Sequence, residues 1–274
     1  MLTLDILICT MNTRIVRMTD LLMPQQENVH YVVSFQYTKD DYLKLIPENL
    51  INRSDVTFVK LRGEGLSANR NNALKYAQSD LVYLIDDDIR FLPSTVNTIL
   101  EAFENNTDID IALFKTKTYM GRDLRQYDDV QRDYKTFKDL LPVLTIEMVS
   151  RRKKVQGVLS FDSRFGLGSH YLSCYEEQIW LENARRKGFT IRYFPKEIIQ
   201  TSAIFLSRLI FVDTKVQRSF GALLYYVYGM LAYEKAFQFA FASFHKKMAH
   251  FLPLFNHMLQ GIIYIKNTSP KHKK

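Results

Sequence analysis

A chain of 274 residues accommodates one domain of about 200 residues with an appendage, and its scarcity of Gly and Pro excludes long disordered stretches. Two cysteines, Cys9 and Cys174, exclude a disulfide framework and fit a reducing compartment, and no C-x-x-C or His-rich cluster points to zinc. The net charge of +8 is unevenly placed: from Thr201 onward 10 Lys and Arg face 2 Asp and Glu, so the tail carries the whole excess.

In chain order, Met1–Thr10 lacks a basic leader and a small-residue cleavage site, and reads as a first strand rather than a signal peptide. Apolar or β-branched runs predict strands at Leu4–Cys9, His30–Ser34, Val56–Leu61, Leu81–Ile85 and Ile109–Phe114. Helical spacing between them predicts helices at Ile15–Met23, Leu66–Ala77 and Val96–Phe103. This alternation predicts an α/β fold with a mostly parallel sheet covered by helices. Ligands of such sheets sit beyond the carboxyl ends of the strands, which singles out Thr10, Phe35, Gly63–Gly65 and Asp86–Asp88. Tyr127–Leu141 is polar and reads as helix and loop, and Met148–Arg152 as a further strand. Phe161–Ser173 reads as a loop, Cys174–Lys187 as a helix stopped by Gly188, and Thr190–Phe194 as a strand ending at Pro195.

The apolar strand Leu81–Ile85 runs directly into Asp86, Asp87 and Asp88. Carboxylates this close resist joint ionisation and call for a compensating charge. A divalent cation, Mg²⁺ or Mn²⁺, would supply it, since such ions take one or two carboxylates and complete their shell with phosphate oxygens and water. The same triplet also reads as an exposed acidic turn.

Two motifs carry a resemblance: Gly65-Leu66-Ser67-Ala68-Asn69-Arg70-Asn71 opening a helix, and Asp80–Asp88 closing the next strand. Phe161-Asp162-Ser163-Arg164-Phe165-Gly166-Leu167-Gly168, Tyr175-Glu176-Glu177-Gln178-Ile179-Trp180-Leu181 and the close at Arg186–Pro195 follow in order. Over residues 1–200 the chain resembles the family 2 glycosyltransferases of the GT-A fold. The resemblance implies inverting, hexosyltransferase-type transfer from a nucleoside diphosphate sugar, UDP-linked, to a glycan or lipid-linked acceptor of cell-envelope polysaccharide synthesis. It makes Asp88 the metal ligand, with Asp86 on the metal or the donor ribose. Thr10, Arg70 and Asp87 join Asp86 on the donor side, Gly166, Gly168 and Glu176 lie on the acceptor side, and Glu177 is the base. That base faces the metal across a cavity with room for a sugar. Two departures stand out: strand two ends in Phe35-Gln36 without a carboxylate, and Ile199-Gln200-Thr201-Ser202 lacks a metal-ligating His.

Ser173-Cys174-Tyr175-Glu176 fits a capping box, which predicts a structural role for Glu176 and leaves Glu177 free, kept ionised by the helix dipole. Both also read as ordinary first-turn acids. Trp180 is predicted to pack in the core, and His170 to be structural or exposed. A nucleotidyltransferase using the same Asp cluster needs no base at Glu177. A non-catalytic membrane or partner-binding protein on a degenerate fold is the other alternative.

Residues 201–274 form a basic, aromatic-rich tail expected to be helical. Ser219–Tyr233 is uncharged but shorter than the ~20 apolar residues a membrane span needs, and Met248–Ile265 is broken by polar residues. The tail therefore reads either as an interfacial segment or as helices packed on the first domain with a solvated basic face. The resulting expectation is a cytoplasmic protein, peripheral on the inner face of the plasma membrane, with no nucleic-acid module.

Overall fold

The computed structural model describes residues 1–202 and 209–268. Nine strands form one sheet: β1 (Leu4–Met11), β2 (Val29–Tyr37), β3 (Val56–Arg62), β4 (Leu81–Asp86), β5 (Ile89–Phe91), β6 (Ile111–Thr118), β7 (Arg132–Asp133), β8 (Met148–Arg151) and β9 (Ile191–Thr201). The order is β3-β2-β1-β4-β8-β6-β9-β5, with β7 also on β9. Strands β3, β2, β1 and β4 run parallel, as do β6 and β9. Strand β8 is antiparallel to both β4 and β6.

The helices of the first 200 residues are α1 (Met18–Leu21), α2 (Glu48–Ile51), α3 (Leu66–Lys75), α4 (Thr95–Glu104), α5 (Phe137–Leu140), α6 (Arg152–Val155) and α7 (Glu176–Arg186). One core lies between the sheet and α4, where Ile6, Tyr83 and Phe114 meet Ile99 and Phe103. The other lies under α3 and α7, where Leu7, Val82 and Leu113 meet Ala73 and Trp180. The inward sides of β1 and β4 are buried on both faces, which is why these strands read as continuous apolar runs. Asp5 is the exception inside β1. Its carboxylate accepts from the Ser79 backbone N–H and hydroxyl, so its burial is compensated.

Three expectations need correction. The helix predicted over Ile15–Met23 is a 3₁₀ segment, Asn12–Arg17, followed by the single turn α1. The chain must turn sharply off β1 there, and Asn12 takes a left-handed conformation with its side chain accepting from the Thr38 N–H. The last strand does not end at Pro195 but continues to Thr201. Its register against β6 shifts between Leu113 and Lys115, so the missing proline N–H falls at a bulge. Ser173 does not cap α7: the N-cap is Tyr175 in a left-handed conformation, without a side-chain cap bond, and the Ser173 hydroxyl has no partner among the described residues.

The tail forms α8 (Thr214–Tyr228), α9 (Ala232–His245) and α10 (Phe251–Thr268). Asp213 caps α8 by accepting from the Lys215 and Val216 N–H groups. Ala222 and Leu223 of α8 and Ile265 of α10 share a core with Phe137, Phe165 and Ile179 of the first 200 residues. Gly221 and Gly261 sit where α8 and α10 cross: a Cβ on either would run into the carbonyl of Met258 or Arg218. Among the described residues no helix is long and apolar enough to cross a membrane.

Candidate active site

The carboxyl ends of β1 and β4 lie side by side, with Cys9 registered against Asp86. This brings Thr10 next to the acidic triplet, and its hydroxyl donates to Asp87 at 2.8 Å. Beside them α3 begins at Gly65, whose φ of 116° turns the chain into the helix. The loop bearing Gly166 and Gly168 closes over this helix start. The Leu66 N–H donates to the Leu167 carbonyl at 2.8 Å and the Ser67 hydroxyl to the Phe165 carbonyl at 2.8 Å. Both glycines are needed there. A Cβ at Gly166 would stand 3.1 Å from the Glu176 carboxyl carbon, and one at Gly168 would stand 2.9 Å from the Gly65 backbone nitrogen.

A cavity of about 250 Å³ opens at this junction. Thr10, Asn69, Asp86, Asp87, Asp88 and Gly168 line it, together with Arg14, Gln36 and Glu64. Gly168, expected on the acceptor side, therefore borders the acidic cavity. Arg70 does not line it. Arg70 is buried, and its guanidinium donates to Glu176 at 2.9 Å and to Asp86 at 3.1 Å. It lies over the Phe161 ring, which in turn stacks on Trp180, buried as predicted. Burial works against the Arg70 charge, but Asp86, Glu176 and Glu177 hold its pKa above the ordinary arginine range. Glu176 is thus the ion-pair partner of Arg70 rather than a cap residue. Its second carboxylate oxygen is buried without a partner among the described residues, as is the Asn69 side-chain oxygen.

Glu177 faces another cavity, of about 290 Å³, bordered by Arg125, Leu144, Tyr175 and Gln178 and by Val216 and Phe220 of α8. Glu177 and the acidic triplet line different cavities, and Arg70, paired with both Asp86 and Glu176, ties the strand that carries the triplet to the helix that carries Glu177. Burial raises the Glu177 pKa above the usual carboxylate range. The neighbouring Glu176 and Asp86 add to the rise, and Arg70 opposes it. The effect is opposite in sign to the one expected from its first-turn position, because desolvation and a like charge outweigh the helix dipole.

The acidic triplet is under similar strain. Burial and the adjacent carboxylates raise Asp87, against the pull of Thr10 and Arg14. Burial and Asp86 raise Asp88, against Arg14. Arg14, on the 3₁₀ segment after β1, pairs with Asp87 and approaches Asp88 at 3.8 Å. It is the only cationic side chain lining the acidic cavity among the described residues. No group of three or more His, Cys, Asp or Glu among the described residues is arranged to hold a metal by itself. The half-exposed Asp88 with Asp86 beside it nevertheless fits a hard divalent cation that takes two carboxylates and completes its shell from a ligand's phosphates. Cys9 beneath the cavity is no nucleophile, since burial pushes its thiol up to about 12.

Sequence reasoning missed Arg14 and Asn69 as cavity residues, whereas Glu64 falls within the Gly63–Gly65 corner singled out above. Arg14 belongs to no motif, and only the fold of the 3₁₀ segment brings it over the triplet. Gln36 was legible as a strand-end residue: it is registered against Met11 at the carboxyl end of β2. Thr201, in the place of the absent His, stands opposite Ile89, just past the triplet.

No curated protein matches the chain. Among solved structures it is similar to residues 1–349 of S. aureus TarS, with a TM-score of 0.60 and 16% identity over 97% of this chain and 73% of that one. Against the same TarS fragment in complex with UDP-GlcNAc the TM-score is 0.62, with 16% identity over 95% and 81% of the two chains. Against its complex with UDP it is 0.56, with 18% identity over 81% of this chain and 65% of the other. At such identity the likeness establishes the fold, which is the GT-A-like arrangement of a mostly parallel sheet flanked by helices. The sequence model described as Glycosyl transferase family 2 matches residues 5–157, more than half of the chain. The chain accordingly belongs to glycosyl transferase family 2 and is a glycosyltransferase.

Proposed function

We propose that the protein is an inverting transferase that moves a sugar from a nucleoside diphosphate sugar, UDP-linked, to a hydroxyl of a glycan or lipid-linked acceptor. We further infer that it works peripherally at the inner face of the plasma membrane. Family membership sets aside the nucleotidyltransferase and non-catalytic alternatives. The complexes of TarS with UDP and UDP-GlcNAc favour a uridine nucleotide as the donor handle. The observation that carries the reading is the Arg70 bridge, which ties the acidic triplet at the end of β4 to the start of the helix that bears Glu177. Asp86, Asp87 and Asp88 border one cavity and Glu177 borders the other. Inversion needs the acceptor's proton acceptor on the face of the sugar opposite the leaving diphosphate, and Glu177 would take that role with the triplet on the diphosphate side.

Asp86 and Asp88 would hold a divalent cation, Mg²⁺ or Mn²⁺, which when bound neutralises the charge of the diphosphate. Arg14, the one cationic side chain lining the acidic cavity among the described residues, would add a positive charge for the phosphates. Thr10 fixes Asp87, and Arg70 fixes Asp86 against Glu176, so the acidic edge is set before the donor arrives. Gln36 presents an amide, donor and acceptor together, where a base can be read at the end of β2. Glu177 accepts the proton of the attacking hydroxyl, and its raised pKa makes it a stronger base than an ordinary carboxylate.

The test pairs thermal stabilisation with transfer. A panel of nucleotide sugars is added with and without Mg²⁺, and Glu177→Gln is compared with Asp88→Ala. The expected outcome is metal-dependent stabilisation by a UDP-sugar. Glu177→Gln should keep that stabilisation while transfer falls by about 10²–10⁴-fold, and Asp88→Ala should lose both. Wild-type transfer by Glu177→Gln would remove the base, and stabilisation by no nucleotide sugar would remove the donor class.

A further inference from the structure

We propose that the paired outer faces of α9 and α10 are a docking surface for an anionic lipid membrane. On α9, Phe237, Phe241 and Phe244 follow one another at helical spacing and are 48%, 49% and 51% exposed. On α10, Leu252 and Ile263 are 73% and 50% exposed, with Phe255 on the same stripe. Ring contacts join the two stripes: Phe237 meets Phe255 at 5.8 Å and Phe251 at 5.4 Å. The inner faces are already satisfied, since Ala232, Ala236 and Ala240 pack on Leu254, Met258 and Ile262. The outer aromatics are therefore surplus to the helix pair, and a contiguous exposed apolar face of this kind marks an interaction site.

Charge identifies the occupant. The turn between the two helices carries Lys246 and Lys247, both exposed, beside the Phe244 end of the stripe. Glu234 is the only acid on either helix, and from Thr201 onward the chain has 10 Lys and Arg against 2 acids. An anionic bilayer offers hydrocarbon for the phenylalanines and headgroup charge for the lysines in one surface. A second copy of the chain would bring the same lysines to the interface with only Glu234 to meet them. The face is part of α9 and α10, whereas the acidic cavity lies on the first domain, so docking leaves the donor site open. The inference draws on the functional reading only for its purpose, which is to hold the enzyme near a lipid-linked acceptor.

The experiment is co-sedimentation of the full chain with phosphatidylcholine vesicles, with and without phosphatidylglycerol, in the absence of donor and acceptor. The wild type should partition onto the anionic vesicles, and less as salt is raised. Phe241→Ser with Leu252→Ser should abolish binding to both kinds of vesicle at an unchanged melting temperature. Lys246→Gln with Lys247→Gln should weaken binding to the anionic vesicles by about thirtyfold, from ~1 kcal/mol per lysine. Wild type that stays in the supernatant, or Ser variants that sediment like wild type, would overturn the proposal. So would a dimer in light scattering that the Ser variants dissolve, which would make the face a contact between copies. UDP-sugar stabilisation measured on the same proteins reports the donor reading separately, so either can fail alone.

Discussion

Arg70 is answered by Asp86 from β4 and by Glu176 from α7, and removing it strands two carboxylates. Breaking a buried pair from one side costs about 3–5 kcal/mol. The Asp86 side chain is 37% exposed, so water recovers part of that loss. Arg70→Met is expected to lower stability by about 3 kcal/mol in urea denaturation, with metal-dependent nucleotide binding lost as Asp86 goes free. Glu177 carries a pH signature. As the proposed base it must be ionised, so activity should rise as pH passes above its pKa, and burial sets that rise above the ~4.3 of an ordinary glutamate. Glu176 contributes to the elevation as a like charge. Glu176→Gln should therefore move the acid limb of kcat/KM to lower pH, and an unmoved limb would mean the two carboxylates do not share a field. Arg14 has two opposed effects. Without it the four carboxylates lining the acidic cavity would meet a cation with no competitor, and a diphosphate would meet no cationic side chain among the described lining residues. Arg14→Ala should tighten Mn²⁺ binding to the free protein, read by electron paramagnetic resonance. UDP binding should weaken by about tenfold, the loss of one charge-assisted hydrogen bond.

At the scale of elements, what could be read in advance depended on whether local sequence or distant packing set the structure. Strands β1 to β4 were legible because each is an apolar run ending at a polar or acidic corner, and that corner is also where the site lies. Strand β5 was not, since Ile89–Phe91 is a strand only by virtue of its pairing with Ile199–Thr201. The start of α7 misled for a related reason. Ser173-x-x-Glu176 has the spacing of a capping box, but a buried arginine 106 positions away in sequence competes for the same glutamate and wins. A cap bond contributes about 1 kcal/mol, less than the several kcal/mol of an unpaired buried charge. The acidic triplet was visible in sequence, while Arg14 beside it and the Arg70 bridge from it to Glu176 were not. The Gly166–Gly168 loop shows how tightly two elements can be tied through backbone alone. Gly168→Ala meets the Gly65 nitrogen at 2.9 Å and its Cα at 3.0 Å, at a φ of 81° that L-residues seldom adopt. Backbone cannot rotate away as a side chain can, so the loop must lift from the start of α3. Nucleotide binding is expected to fall in isothermal titration by more than stability falls in thermal melts.

At the scale of the molecule, the tail and the first domain are joined by shared packing as well as by the chain. Val216 and Phe220 of α8 border the cavity that Glu177 faces, and the next turn, Ala222 and Leu223, packs with Ile179 of the same helix as Glu177. None of the tail's described residues lines the acidic cavity. A disturbance confined to the tail should therefore separate acceptor from donor. Gly221→Ala is that disturbance: its Cβ would collide with the Met258 carbonyl, forcing α8 and α10 apart. Overpacking of this kind costs about 1–3 kcal/mol, and a clash with backbone belongs at the upper end. The variant should melt earlier and exchange amide hydrogens faster in α8 and α10, while UDP-sugar affinity stays at its wild-type value. The acceptor KM should rise, because the wall formed by Val216 and Phe220 moves with α8. An equal loss of donor affinity would mean that α8 supports the whole site, and an unchanged acceptor KM would mean that the cavity facing Glu177 is not where the acceptor binds.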